Sequence, residues 1–302
     1  MSLGRVHSPV LVKEVFEALG LTRFAHLNRP ARLIDATVGT AGHAQVAVKA
    51  GLDVLGIDID PVMLDKAQKR LKEALSTSNP KASGSFKLVQ GNFRKLDEIA
   101  TANGFGVVEG VILDLGVSNV HFKEDPRGFS FEDPSAPLDM RLDPENQGVS
   151  ARDLLNSLRP DQLESLFEST MEKGVAKEIA RRVETERSGK PFEKVGDFLA
   201  VFGGLTERKL HPATRAFLAL RMAVNSELEN LLEALPKAFG LLNLGGRLAV
   251  ISFHSGEDRI VKNFLKNIEG RVLTPTPITP SQEEIFDNPR ARSARLRVVE
   301  KV

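Results

Sequence analysis

The chain has 302 residues, of which 41% are hydrophobic and 27% are charged, and its formal net charge is +1. This composition indicates a soluble globular protein with a sizeable core, and the length alone fits one domain or two equally well. The near-zero charge excludes a global basic field, so any surface that binds nucleic acid must be local.

The sequence excludes several classes of site. It contains no cysteine, which rules out disulfides, thiolate nucleophiles and cysteine-based zinc sites. Its six histidines show no His-x-His or His-x-x-x-His spacing, so no metal site is predicted. No apolar run approaches the roughly 20 residues that span a bilayer, and residues 1–9 lack the apolar core of a signal peptide. We therefore expect no membrane contact and a cytoplasmic location.

Strands and helices are predicted to alternate in the first part of the chain. An amphipathic helix is predicted within 7–21, and apolar runs that predict strands follow at 32–36, 53–60, 86–89 and 107–115. Helical periodicity separates these runs. Strands that alternate with helices predict a parallel sheet with right-handed crossovers.

The alternation stops after residue 118. From 119 to 210 no continuous apolar strand is present, and helices are predicted at 151–157, 160–169 and 175–187. A long helix over 212–242 precedes the next strand, and the remaining elements are a strand at 246–253, a helix at 258–268 and extended segments at 271–274 and 294–299. The pattern predicts one α/β domain, formed by 1–118 and 211–302, that carries a mainly helical insertion at 119–210.

The turn after the first strand is a candidate nucleotide cradle. Residues 35–43 read DATVGTAGH and lead from a strand into a helix, where free backbone N–H groups and the helix dipole face a ligand. Dinucleotide-binding turns, and the usual turns that bind S-adenosyl-L-methionine (AdoMet), contain more glycine, whereas this turn has Thr37 and Ala41. The turn alone does not separate a cofactor loop from an ordinary tight connection.

Three further candidates follow successive strands. Asp58 ends the second strand, where a carboxylate accepts hydrogen bonds from ribose hydroxyls; Phe93 follows the third strand and suits packing on adenine; Asp114 ends the fourth. For Asp58 the alternative is a solvated loop acid, an interpretation that also applies to Asp60. For Phe93 the alternative is a core phenylalanine. Because parallel strands end at one edge of the sheet, these residues together predict a ligand site.

His254 lies between Ser252 and Ser255 and suggests a Ser-His-Asp hydrolase. No Gly-x-Ser-x-Gly sequence accompanies it, which disfavours hydrolase chemistry. The alternative is a loop histidine that hydrogen-bonds its neighbours.

Binding of nucleic acid would depend on local basic clusters. Arg290, Arg292, Arg295 and Arg297 have no acid among them, and an extended segment places Arg295 and Arg297 on one face. Two more clusters are Arg208, Lys209, His211 and Arg215, and Arg181, Arg182 and Lys190. Each is either a phosphate contact or a solvated face, so charge alone leaves RNA binding open.

Eight segments resemble, in order, the motifs of the bacterial ribosomal RNA small subunit methyltransferase H family, also called MraW. They are HSPVL (7–11), DATVG with the following GH (35–43), DLGVS (114–118), RGFSF (127–131), PLDMR (137–141), HPATR (211–215), ISFHS (251–255) and NPRARS (288–293). Together they extend over nearly the whole chain.

The resemblance implies a class I AdoMet-dependent methyltransferase with a Rossmann-like, mostly parallel sheet and an inserted helical domain for substrate recognition. It implies methylation of the exocyclic N4 of one cytidine in 16S rRNA, at the decoding centre near the P site. The implied cofactor contacts are Ala41, Gly42, His43, Asp58, Phe93, Asp114 and His121. As catalytic residues we expect Asp114 or Asp139, since a carboxylate that accepts an N4–H hydrogen bond favours a pyramidal, nucleophilic nitrogen.

The chain departs from the family pattern at three places. Ala41 replaces a glycine, which is tolerable if its φ is negative, and His121 stands where glutamine is usual. Residues 171–174 also differ from the family's usual segment. Two other functions remain: a nicotinamide-dependent dehydrogenase, disfavoured by the missing glycines, and a non-catalytic RNA-binding assembly factor, disfavoured by the acids at the strand ends.

Overall fold

The computed structural model describes residues 9–24, 26–77, 84–204 and 211–302. The chain divides into two compact units: unit 1 comprises Met1–Val117 and Leu228–Val302, and unit 2 comprises Ser118–Glu227. Among the described residues, no helix combines the length and the apolar character needed to cross a membrane.

Seven strands and thirteen helices are found in the described residues. The strands are β1 (Arg32–Asp35), β2 (Asp53–Asp58), β3 (Phe86–Gln90), β4 (Val108–Asp114), β5 (Leu242–Ser252), β6 (Arg271–Val272) and β7 (Arg295–Glu300). The helices are α1 (Val12–Leu19), α2 (Gly42–Lys49), α3 (Pro61–Ser76), α4 (Leu96–Ala102), α5 (Asn119–Lys123), α6 (Ala151–Ser157), α7 (Pro160–Glu168), α8 (Lys173–Gly189), α9 (Val195–Ala200), α10 (Ala213–Val224), α11 (Glu227–Gly240), α12 (Ser255–Asn267) and α13 (Gln282–Asp287). Helices α5 to α10 belong to unit 2.

Unit 1 is built on one sheet with the strand order β3-β2-β1-β4-β5-β7-β6. The first five strands in this order, β3, β2, β1, β4 and β5, pair in parallel, and β7 runs antiparallel to both β5 and β6. The predicted α/β class with a mostly parallel sheet is therefore confirmed, and the two extended segments near the C-terminus complete the sheet as expected. The carboxyl ends of β1, β2 and β4 lie side by side, which is where ligands bind in such sheets.

The sheet is buried on both faces because successive side chains of a strand point to opposite sides. In β1, Leu33 packs into one apolar cluster, which also contains residues of α1, α2 and α3. Ile34, the next residue, packs into the other cluster with residues of α4, α11 and α12. The near-continuous apolar runs that predict these strands follow from this two-sided burial.

A buried carboxylate fixes the antiparallel edge of the sheet. Glu300 on β7 is only 5% exposed and accepts hydrogen bonds from Arg23 at 2.8 Å, from Arg247 at 2.8 Å and from Arg271. Burial acts to raise the pKa of Glu300, but the arginines outweigh it and hold that pKa below its ordinary value. The three guanidinium groups join β5, β6 and the 3₁₀ turn Leu21–Phe24 to one residue.

The described part of unit 2 consists of helices and loops around an aromatic core. Phe198 is fully buried, and its ring lies 5.2 to 6.3 Å from the rings of four others. These rings belong to Phe167, Phe192, Phe202 and Phe217. Helices α6, α7 and α8 lie where helical periodicity predicts them, within two residues at each end.

The helix predicted over 212–242 is in fact two helices. Ser226 has φ 49°, which ends α10, and the Asn225 side chain donates hydrogen bonds of 2.9 Å to the carbonyl groups of Met140 and Arg221. Helix α10 packs on α6 and α7. Unit 2 therefore ends at Glu227, not at residue 210 as predicted, and residues 211–227 belong to it and not to the core. At its start the unit begins at Ser118, one residue from the predicted boundary.

Candidate active site

The turn after β1 requires two glycines for different reasons. Gly39 has φ 51°, and a Cβ on it would meet nothing closer than 3.9 Å. Gly42 begins α2, where a Cβ would lie 2.6 Å from the Cβ of Pro9. The first glycine is therefore required by backbone conformation, and the second by close packing. Around Gly39 the turn leaves open space.

Ala41 does not have the negative φ at which the sequence analysis considers an alanine tolerable in this turn. Its φ is 63° and its ψ 37°, in the left-handed region, and it is fully buried. Its N–H donates to the carbonyl of Val38 at 2.7 Å, and its own carbonyl accepts from Gln45 at 3.0 Å. This residue both closes the turn and starts α2, so the local geometry imposes a positive φ on a residue other than glycine. The methyl group of Ala41 is therefore held at a positive φ, not at the negative φ under which the sequence analysis considers it tolerable.

Asp58 supports the turn directly. Its Oδ2 accepts a hydrogen bond of 2.8 Å from the N–H of Gly39, and its Oδ1 accepts one of 2.9 Å from Asp60. A carboxylate oxygen accepts more than one hydrogen bond, so these contacts are compatible with the predicted ribose contact. Asp60 is fully buried and caps α3 by accepting from Val62 at 2.8 Å, so the reading of Asp60 as a solvated loop acid was wrong.

Phe93 begins the 3₁₀ turn Phe93–Lys95 that follows β3. It is partly buried and packs against the apolar cluster that contains Ile57 and Leu96. The ring thus serves the core in part, as the alternative reading held. Its adenine contact stays a prediction.

Asp114 ends β4 beside this turn. Its backbone N–H donates to Oγ1 of Thr37 at 2.7 Å, and its Oδ2 lies 3.7 Å from Nδ1 of His43. Oδ1 is buried and has no hydrogen-bond partner among the described residues. Thr37, which the sequence presents only as a missing glycine, therefore ties the first turn to the end of β4.

The His43 ring has a defined orientation. It is 3% exposed, and Nε2 lies 3.0 Å from the carbonyl oxygen of Val10. Because a carbonyl only accepts, Nε2 carries the proton and donates, which leaves Nδ1 directed toward Asp114.

Acidic groups dominate the electrostatics of the strand ends. Burial, with the negative charge of Asp58, raises the pKa of Asp35 to about 7 despite backbone hydrogen bonds that favour the carboxylate. Desolvation and then the charges of Asp35 and Glu257 raise the pKa of Asp114 well above its ordinary value. Close carboxylates that resist ionisation favour a bound proton or a cationic ligand at this point.

Glu257 is a site residue that the sequence analysis missed. It is 2% exposed, and its Oε2 accepts from the N–H of Phe253 at 2.8 Å. His254 caps α12, with Nδ1 accepting from Glu257 at 3.4 Å, and Ser252 Oγ donates to the carbonyl of Arg295. His254 thus hydrogen-bonds its neighbours, as the alternative to a hydrolase triad holds. An acid in the first turn of a helix is ordinary, so no sequence signal marks Glu257.

Two predicted residues lie in unit 2. His121, on α5, is 3% exposed, and its ring centroid is 5.1 Å from that of Phe129. Asp139 binds the guanidinium of Arg141 through both oxygens, at 2.6 and 2.9 Å. The roles of His121 in cofactor binding and of Asp139 in catalysis stay predictions.

The basic clusters are mostly engaged within the protein. Arg295 and Arg297 do share a face of β7, but both bind Asp258, at 3.0 and 2.7 Å. Although burial acts against it, these arginines hold the pKa of Asp258 below its ordinary value. Arg181 and Arg182 both bind Glu178, and Lys190 binds Asp197. Arg208 and Lys209 lie outside the described residues.

Comparison with known proteins identifies the family. A family model described as the MraW methylase family matches residues 4–302. The chain belongs to the MraW methylase family. It is 41% identical to the Ribosomal RNA small subunit methyltransferase H of Coprothermobacter proteolyticus, over 98% of this chain and 96% of that protein. The protein of the same name from Thermotoga neapolitana is 40% identical, with 98% and 96% covered.

A solved structure, an rRNA methylase from Streptococcus thermophilus, matches 98% of this chain and 99% of its own. Its TM-score is 0.45 and its identity 14%. Membership of the MraW family confirms the family predicted from the motifs and, with the sheet topology, the predicted methyltransferase fold. At the level of the family, the predicted cofactor AdoMet is confirmed as well.

The residues at the strand ends of this MraW methylase fit AdoMet. The turn is open at Gly39, Asp58 offers acceptors beside it, and a buried oxygen of Asp114 has no hydrogen-bond partner in the described part of the chain. AdoMet carries positive charge on its sulfonium and amino groups, and carboxylates at this edge would stabilise that charge.

Replacing Ala41 with glycine should change the stability of this MraW methylase by less than about 1 kcal/mol. Release of the left-handed strain, about 1 to 2 kcal/mol, is offset by the lost methyl burial and the added chain entropy, which together cost a similar amount. Ala47→Gly is the matched control: Ala47 is also fully buried but lies inside α2, so the change should cost about 1 kcal/mol or more. Chemical denaturation measures both. A loss of stability in Ala41→Gly equal to that in Ala47→Gly would contradict the strained geometry.

Proposed function

We propose that this MraW methylase transfers a methyl group from AdoMet to the exocyclic N4 of a specific cytidine in 16S rRNA, at the decoding centre near the P site. The names of the curated relatives support small-subunit ribosomal RNA as the substrate. The sequence DLGVS at 114–118 and the other motifs support the finer assignment. The observation that carries the chemistry is the carboxylate of Asp114, buried at Oδ1 and placed at the end of β4.

The chemical problem is the weak nucleophilicity of the amino nitrogen. When bound, AdoMet would supply an activated methyl group on its sulfonium, and transfer would exchange the carbon–sulfur bond for a carbon–N4 bond. The N4 lone pair is delocalised into the cytosine ring, and N4 must also lose a proton. The protein therefore has two tasks: to hold the amino group in line with the methyl, and to accept its proton.

We assign the proton acceptor to Asp114. Its raised pKa makes its carboxylate a stronger base than an ordinary aspartate. Asp139, the other predicted acceptor, already accepts hydrogen bonds from Arg141 through both carboxylate oxygens. His43 lies beside this carboxylate of Asp114, with Nδ1 3.7 Å from Oδ2 of Asp114, and the hydrogen bond from its Nε2 to Val10 fixes the ring there.

The remaining residues of the site bind the cofactor in this proposal. Asp58 accepts the ribose hydroxyls while it holds Gly39, and Phe93 packs on the adenine. Ala41, Gly42 and His43 line the turn, and the contact of His121 with the cofactor, implied by the family resemblance, stays a prediction. Unit 2 recognises the RNA. A dehydrogenase lacks support, since nothing in this turn supplies the glycines of a dinucleotide site.

Asp58→Ala should weaken AdoMet binding by roughly 1 to 3 kcal/mol, because hydrogen bonds to a charged group are lost. Calorimetry with AdoMet, and with NAD as the comparison ligand, measures this. Asp65→Ala removes an exposed carboxylate from α3 and should leave the affinity unchanged. Equal affinities for wild type and Asp58→Ala would remove Asp58 from the site, and tight binding of NAD would favour a dehydrogenase.

Asp114→Asn should lower the rate of methyl transfer by roughly 10²- to 10⁴-fold, the usual contribution of a positioned acid or base. In the wild type the rate should fall as the pH drops through the raised pKa of Asp114, because protonation removes the acceptor. This decline should therefore begin above the range of an ordinary aspartate. Single-turnover rates on small subunits that lack the modification, across pH, measure both effects.

The control for Asp114→Asn is Asp65→Asn, which should behave as the wild type. A turnover by Asp114→Asn close to that of the wild type, or a decline confined to the range of an unperturbed aspartate, would argue against Asp114 as the acceptor.

A further inference from the structure

Unit 2 carries an exposed aromatic stack. The ring of His211 is stacked on that of Phe131, with centroids 4.8 Å apart and planes 25° apart. His211 is exposed and Phe131 is partly buried. Behind them, Phe131 meets the buried Phe217 edge-on at 5.5 Å. The stack is thus the outer end of the aromatic core of unit 2.

The His211 ring is fixed in place. Its Nδ1 accepts a hydrogen bond of 3.2 Å from the N–H of Ala213, and its carbonyl accepts one of 2.9 Å from Thr214. Exposed histidines usually rotate freely, and a ring held by a stack and by a backbone hydrogen bond has already lost that freedom. When a flat ligand stacks on it, the histidine ring therefore loses little further conformational entropy.

Arg215 differs from the other arginines of unit 2. In the described part of that unit, every other arginine binds a carboxylate or a backbone carbonyl through its guanidinium. These residues are Arg127, Arg141, Arg152, Arg159, Arg181, Arg182, Arg187 and Arg221. Arg215 is exposed, and within the described residues its guanidinium has no such partner. It lies in the first turn of α10, four residues after His211.

No acid in the described part of the chain forms an ion pair with Arg215. Asp133 turns its carboxylate back into its own loop, where Oδ1 accepts from the N–H and the hydroxyl of Ser135 at 2.9 and 2.6 Å. Glu132 follows Phe131 directly. The loop that carries Phe131 is therefore negatively charged, and α10 carries the positive charge of Arg215. This arrangement favours a polar ligand whose anionic part lies toward α10.

We propose that His211, backed by Phe131, is a stacking platform for one unpaired base of the RNA substrate, and that Arg215 binds a phosphate of the same strand. Unpaired bases in protein–RNA complexes stack on histidine and other aromatic rings, and arginine binds the neighbouring backbone. The proposal rests on the proposed function, because it takes RNA as the substrate.

The test separates the ring of His211 from its hydrogen bond. His211→Asn keeps an acceptor for the Ala213 N–H but loses the ring, whereas His211→Phe keeps a ring and loses the acceptor. With a short fluorescein-labelled single-stranded RNA from the small-subunit sequence, His211→Asn should bind roughly tenfold more weakly than the wild type, and His211→Phe about as tightly. On an abasic strand of the same length, wild type and His211→Asn should bind alike.

The phosphate contact has its own readout. Arg215→Ala should reduce the slope of log Kd against log salt concentration by about 0.7, the value for one phosphate contact to a single strand. Arg159→Ala, an exposed arginine that binds Asp161, should leave the slope unchanged. AdoMet affinity, measured by calorimetry on every variant, should equal that of the wild type and shows that the fold is intact.

Equal RNA affinity of wild type and His211→Asn would overturn the platform, and so would a His211→Phe variant as weak as His211→Asn. An unchanged salt slope in Arg215→Ala would overturn the phosphate contact. If the wild type itself neither binds nor methylates RNA, the proposed function fails first, which distinguishes that result from failure of the platform alone.

Discussion

Two hydrogen bonds join the turn after β1 to the strands on either side of it. The N–H of Gly39 donates to Asp58 at the end of β2, and the Thr37 hydroxyl accepts from the N–H of Asp114 at the end of β4. Through them the ends of three neighbouring strands become one rigid edge. Every predicted cofactor residue of unit 1 depends on that edge, either as a member of the turn or as a side chain placed beside it.

The same edge concentrates negative charge in a buried place. Burial, and then the negative charge of Asp58, raises the pKa of Asp35, and burial with the charges of Asp35 and Glu257 raises that of Asp114. A protein keeps such a cluster at a cost in stability, so a compensating ligand is expected. A cationic cofactor lowers that cost when it binds, and in the proposed mechanism one of these carboxylates, that of Asp114, accepts the proton of the substrate. In this account binding and catalysis use one electrostatic feature.

The sequence predicts the features that depend on local pattern. Apolar runs mark the strands because helices cover both faces of the sheet, and Asp58 and Asp114 stand out because each follows such a run. The positive φ of Ala41, by contrast, arises from a turn that must close on Val38 and start a helix at once. The family motifs indicate that a glycine is missing there, but not which conformation the alanine takes.

Features that depend on tertiary contacts could not be predicted from the sequence. The break between α10 and α11 depends on the hydrogen bond of Asn225 to Met140, far away along the chain. In the sequence, Arg295 and Arg297 belong to a basic cluster with no acid among its members, and only the fold brings Asp258 into contact with both. No sequence pattern distinguishes Glu257 from other acids in the first turn of a helix. Such contacts between distant segments also decide which arginines are engaged within the protein, and among the described residues the guanidinium of Arg215 has no such contact.

The central claim is the identity of the modified atom, and nucleoside mass spectrometry tests it most directly. Small ribosomal subunits from cells that lack this protein are incubated with the purified chain and AdoMet carrying a deuterated methyl, and the 16S rRNA is then digested and analysed. The account predicts labelled N4-methylcytidine at a single position near the P site, and none with the Asp114→Asn variant. Label on cytosine C5, on another nucleoside or on no nucleoside at all would contradict it.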